Sequence, residues 1–201
     1  MVSKSGCNSA ESLHPITILG SPGVQGGYLL RIQVESPCRI IFGRHNHCRR
    51  IYIGSGVYMY LGSAMGIRGS TSLPCRVMRH VIRSGQRPSH KIRDVLRTYL
   101  VENKLADNRI EAIRNKRLHW HVDYLLDHEN SDLTHIMLLC NQYRIERYVY
   151  TVLSNKKEVE IIEPGLGASD TQNKTHLWKL HETDGFWRLL VRELEDLLER
   201  S

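Results

Sequence analysis

Along this chain the spacing of apolar positions switches between the two-residue period of a strand and the wider spacing of a helix, and the switches predict its elements. Residues 1 to about 20 mix Ser, Gly, Asn and Lys with few periodic apolar positions and read as a flexible tail. Ordered structure is expected from near Gly26: Tyr28 to Val34 reads as a strand, Ser36-Pro37 breaks it, and Arg39 to Phe42 and Arg50 to Ile53 are two further short strands. Gly54-Ser55-Gly56 returns the chain to a β-prone run in which Tyr58 and Tyr60 share one face and Val57, Met59 and Leu61 the other. Pro74 opens a helix to about Ser84, with Arg76, Arg79, His80 and Arg83 in a single stripe and Val77, Met78, Val81 and Ile82 left for the core. A turn leads to a second helix, about Ser89 to Leu105, and Asn108 to Lys116 offers another short one.

Further on, His119 to Leu126 alternates, which predicts a strand with His119, His121 and Asp123 on one face. Thr134 to Cys140 reads as a buried strand and Asn141 as the N-cap of a helix from Gln142 to about Leu153 that carries Glu146. Glu158 to Ile162 reads as a strand and Pro164 to Asp170 as a rigid loop, and Thr183 or Asp184 caps an amphipathic terminal helix. Together these predict an α+β fold: a small, mainly antiparallel sheet flanked by helices. One domain over residues 21–182 would carry a basic helical insertion at 86–118, with a C-terminal helix at 183–201 packed on it. That packing predicts a monomer, with weak dimerisation through the same stripe as the alternative.

Apolar content of 41% and charged content of 24% suit a globular chain. The charge balance changes the picture, because the net charge is +7 and residues 76–118 alone hold twelve Lys or Arg against four Asp or Glu. Such a segment predicts an anionic partner, nucleic acid first, with Arg79, Arg83, Arg87, Lys91, Arg93 and Arg97 as its track. Five cysteines without a regular framework read as reduced thiols. With neither a secretory leader nor an apolar run of membrane length, a cytoplasmic protein without a membrane partner is expected. His45, His47 and Cys48 match no standard zinc spacing and read as a polar, basic turn. His119, His121 and Asp123 on one face would suit a metal, and a polar network bracing the active face is the favoured reading.

A tyrosine strand running into an arginine-striped helix is suited to gripping a phosphodiester, since guanidinium forks match phosphate oxygens. At this point the chain resembles the GIY-YIG nucleases, and within them the Uri-type branch. The resemblance rests on Tyr60-Leu61-Gly62-Ser63-Ala64 followed by the Arg76 to His80 helix, and on Gly27-Tyr28-Leu29-Leu30 as first motif. The stretch His119 to Leu126 and Pro164 to Asp170 with Thr175-His176-Leu177 complete it. It implies a divalent-metal endonuclease acting on nucleic acid, most readily DNA, with one Mg²⁺ or Mn²⁺ ion on Glu146. Tyr28 would be general base or place the attacking water, Tyr60 would hold the phosphate, and Arg76 would supply positive field and transition-state stabilisation. His80 would orient a tyrosine or relay a proton, with Ser169, Asp170 and His176 in support. Tyr58, in Gly56-Val57-Tyr58, rivals Tyr28 as first-motif tyrosine; Tyr28 is favoured because it opens the first strand. A binding module that keeps the fold without turnover is the alternative function.

Overall fold

In the computed structural model, residues 14–110, 116–167, 175–181 and 184–200 are described. In chain order the elements are β1 (Ile16–Gly20), β2 (Gly26–Val34), β3 (Cys38–Ile41), β4 (Arg50–Ile53), β5 (Gly56–Ala64), α1 (Leu73–His80) and α2 (Arg93–Glu102). There follow α3 (His121–Leu126), β6 (Ser131–Cys140), α4 (Glu146–Ser154), β7 (Val159–Ile161), β8 (Leu177–Leu180) and α5 (Asp184–Glu199). The fold is α+β, with a six-stranded mixed sheet ordered β1-β6-β2-β5-β8-β7 and a separate β3–β4 ribbon. Only the β1–β6 pair is parallel within that sheet. Among the described residues no helix is long and apolar enough to cross a membrane.

The sheet is covered on both faces, which is why β2 and β5 read as nearly continuous apolar runs. Tyr28, Leu30, Ile32, Tyr58 and Tyr60 face a core shared with α1, α2, α3 and the ribbon. Leu29, Val57, Met59 and Leu61 face the other core, closed by Val149 and Leu153 of α4 and by Phe186, Trp187, Leu190 and Leu194 of α5. Each such fully buried aliphatic side chain contributes about 1.5–3 kcal/mol relative to an exposed one. The amphipathic stripe of α5 is therefore spent on its own sheet.

Several expectations need correction. Residues Ile16–Gly20, read as tail, form an edge strand, since β6 offers them a parallel partner from Ile16↔Ile136 to Gly20↔Cys140. A five-residue run between Pro15 and Ser21 is too short to declare itself by period. Within the alternating stretch from His119, residues His121–Leu126 form a helix, α3, and no strand. There the Asp123 carboxylate accepts from the backbone N–H of His119 at 3.0 Å and of Trp120 at 3.2 Å, which starts the helix. Helix α1 stops at His80, because the backbone N–H of His90 donates to the Val81 carbonyl at 2.9 Å, and Arg83 leaves the stripe. Asn141 caps no helix: its Oδ1 accepts from the N–H of Tyr143 at 2.8 Å, and α4 starts only at Glu146. Helix α2 is shorter than expected and sends Leu96 and Leu100 into the core. The expected short helix after Asn108 falls mainly on residues 111–115, outside the described residues.

Candidate active site

Strands β2 and β5 pair without a slip from Gly26↔Ala64 to Val34↔Gly56, which sets Tyr28 opposite Gly62 and Leu30 opposite Tyr60. The Tyr28 ring lies across the β5 backbone at Gly62, where a Cβ would sit 2.3 Å from the ring carbon bearing the hydroxyl. Glycine at 62 is thus what admits Tyr28. Tyr28 and Tyr60 rings stand 6.2 Å apart, and α1 closes over both. His80 Nε2 is 2.9 Å from the Tyr28 hydroxyl, and its ring centroid is 6.2 Å from that of Tyr60. One helical turn earlier, the Arg76 guanidinium lies 4.0 Å over the Trp120 ring. Tyr58 shares the face but is turned away, its hydroxyl donating to the Gly54 carbonyl at 2.8 Å.

Behind His80 sits Asp123, fully buried, whose Oδ1 is 3.4 Å from His80 Nδ1 and 3.1 Å from Lys116 Nζ. Arg79 reaches its other oxygen at 3.5 Å. Asp123 thus ties the helix carrying His80 to the segment entering α3. Burial works against its ionisation, and the His80 hydrogen bond and the Lys116 charge outweigh that, holding the carboxyl below the usual range. Burial also lowers the His80 pKa to about 4, with Asp123 opposing. Burial lowers Lys116 as well. Tyr28 and Tyr60 are both pushed up, by burial first, and for each the Arg76 charge acts in the lowering direction and is outweighed. At both tyrosines burial therefore outweighs the positive field of Arg76.

On the far side of the tyrosines, Glu146 stands at the first turn of α4. Its Oε1 is 3.1 Å from His176 Nδ1, and this bond, with a second from Ser63 and against partial burial, holds Glu146 below the usual carboxylate range. Its charge is close enough to raise both Tyr60 and Tyr28. Among the described residues no group of three or more His, Cys, Asp or Glu is placed to hold a metal ion. A single carboxylate flanked by an imidazole and a hydroxyl nevertheless suits a hard cation such as Mg²⁺, which keeps most of its water and takes phosphate oxygens from the substrate.

Tyr28, Tyr60, Arg76, His80, Glu146, Asp123 and His176, scattered over the sequence, thus meet at one end of the sheet. His119 is exposed beside Trp120, while His121 accepts the Gly167 N–H at 2.9 Å and faces His45. Ser169 and Asp170 lie outside the described residues. Much of the expected basic track is held within the chain. Arg79 donates to the Arg117 carbonyl, Arg83 to those of Pro88 and Ser131, Arg87 to Asp127, and Arg97 to the Asn108 carbonyl. Arg93 lies 3.6 Å from Asp94, and Lys91 is exposed. The sequence reading missed Lys116, counted only as part of a basic segment, and Trp120, which the strand reading put on the face opposite His119, His121 and Asp123. Neither carries a local signal of its place, since both are defined by Asp123 and Arg76 across the fold.

No curated protein and no solved structure matches the chain. A family described as Domain of unknown function DUF123 matches residues 27–198, a span running from the first tyrosine strand to the last turns of α5. With the whole cluster inside that span, the chain belongs to the DUF123 family.

Proposed function

We propose that this chain is a GIY-YIG-type endonuclease of the Uri-type branch, hydrolysing phosphodiester bonds in nucleic acid, with DNA the favoured substrate. The observation that carries the reading is the 2.9 Å contact between the Tyr28 hydroxyl and His80 Nε2, backed by Asp123, within one cluster with Arg76 and Glu146. Ordered motifs of the resembling family supply the same residues, which adds support.

The chemistry follows from the protonation states. A phenol pushed above its ordinary value is a poor free phenolate, so Tyr28 gains basicity only by passing its proton on. His80 is neutral at pH 7, and Asp123 facing Nδ1 favours the tautomer whose Nε2 lone pair points at Tyr28. As a water oxygen attacks phosphorus, its proton moves to the Tyr28 oxygen and the Tyr28 proton to His80 Nε2, while the bond from phosphorus to the 3′ oxygen breaks and that oxygen leaves with the electron pair, to be protonated by solvent. The resulting imidazolium is paired with Asp123. Arg76, held over the Trp120 ring, offers N–H groups to the non-bridging oxygens as charge builds on them. Glu146 would hold a Mg²⁺ or Mn²⁺ ion, whose chemistry would be to neutralise charge on the phosphate and the leaving oxygen. His176 and Ser63 fix the orientation of that carboxylate.

The test is cleavage of labelled single-stranded, duplex and branched DNA and RNA with Mg²⁺, Mn²⁺ or EDTA, for the wild type, Glu146→Ala and Arg76→Ala. Metal-dependent cutting that both variants lose while still binding supports the proposal. Salt-sensitive binding without cutting by the wild type overturns it in favour of a binding module.

A further inference from the structure

The outward face of the β3–β4 ribbon takes part in neither the core nor the active site. Residues 38–53 hold four arginines, Arg39, Arg44, Arg49 and Arg50, and no Asp or Glu. Its inward side, Ile40, Phe42, Ile51 and Ile53, is buried and fixes it on the tyrosine face of the sheet. On its outward side the register pairs Arg39 with Tyr52 and Ile41 with Arg50. Two guanidiniums therefore stand at one diagonal and two exposed apolar side chains at the other, with Tyr52 58% and Ile41 42% accessible. Among the described residues none of the four arginines enters an ion pair. The tip folds back toward the catalytic end: the His45 ring is 5.0 Å from that of His121, which opens α3 directly after Trp120, the residue under Arg76. The acidic side chain at the tip, Glu163, is taken up by Asn46 at 2.8 Å.

We propose that this ribbon is a duplex-DNA-binding arm that enters the major groove beside the bond to be cut. A two-stranded antiparallel ribbon fits the major groove of B-form DNA, whereas that of A-form RNA is too narrow for side chains to read. Arg39 and Arg50 are set to reach the phosphate walls, while Tyr52 and Ile41 meet base edges on the groove floor. A face for phosphates alone would have no use for two exposed apolar residues at its centre. Arg44 and Arg49 at the tip extend the contact toward the phosphates next to the active site. The inference rests on the nucleic-acid reading above but not on catalysis.

It is tested by fluorescence anisotropy of labelled duplex and single-stranded DNA in EDTA, with the full chain, across a salt series. The variants are Arg39→Ala/Arg50→Ala and, separately, Tyr52→Ala, each checked for an unchanged circular dichroism melt. The double variant is expected to weaken duplex binding about 10-fold or more and to flatten the salt slope by about two, one for each phosphate contact. Tyr52→Ala is expected to weaken duplex binding with the slope unchanged. Single-strand affinity should stay within about 2-fold in both. Wild-type affinity and slope retained in the double variant overturn the arm, and equal losses on single strands overturn the groove. A wild type that binds and does not cut leaves the arm standing and removes the nuclease reading alone; a wild type that binds no nucleic acid removes both.

Discussion

Arg79, Arg83 and Arg87 end on carbonyls and carboxylates of their own chain, whereas Arg39, Arg44, Arg49 and Arg50 on the ribbon are exposed and outside any ion pair among the described residues. The first group lies in the most basic segment of the sequence and the second in a segment with half the notice. What separates them is opposition. Asp123, Asp127 and the Ser131 carbonyl face the first group, and Glu163, at the ribbon tip, is already bonded to Asn46. A local count of positive charge therefore locates potential contacts, while availability is set by what the fold brings against each guanidinium.

The comparison breaks hardest at Asp123, which captures Arg79 and Lys116 and orients His80. Asp123→Ala leaves the buried lysine unpaired, and should cost about 3–5 kcal/mol in urea unfolding together with activity. His80→Gln separates chemistry from structure: kcat is expected to fall about 10²–10⁴-fold while duplex binding stays near wild type. Wild-type cleavage should also decline as pH drops through about 4, where His80 takes up a proton and can no longer accept one from Tyr28, and this limb should vanish in the variant. Because the folded-state value lies below the ordinary 6.5, the unfolded chain binds that proton first, so His80's contribution to stability is present above pH 6.5 and lost as pH falls toward 4. Smaller effects then distinguish the two basic regions. Arg83→Ala is expected to destabilise by about 1 kcal/mol through lost carbonyl bonds, with the salt slope of DNA binding unchanged. Arg44→Ala should leave the melting temperature unmoved and lower that slope by about one. A reversal of these last two phenotypes would dissolve the distinction.

The tyrosine strands were legible in the sequence because β2 and β5 are long enough for period and turn residues to agree, and the Arg76/His80 stripe because Pro74 and helical spacing mark α1, while Glu146 was singled out by the family resemblance alone. Gly62 was readable as part of a motif, though its reason, the Tyr28 ring, belongs to the neighbouring strand. Helix α3 was misread since six residues complete less than two turns, too few for the helical period to show against an accidental alternation. Strands β1 and β8 are short, and they exist because β6 and β5 present edges to them. Lys116 and Trp120 gain their roles from partners far along the chain, information that no local window contains.

Strand β1 also bears on how this molecule can be shortened. The family match begins at residue 27, after β1, so a chain trimmed to that span would lose the cover of β6. The ten-residue β6, five of whose last residues are buried, would then present an unpaired, apolar row of N–H and C=O groups. Such an edge recruits a second chain, so the trimmed protein is expected to aggregate strand to strand. The five residues before Ser21 act as the guard rail of the sheet.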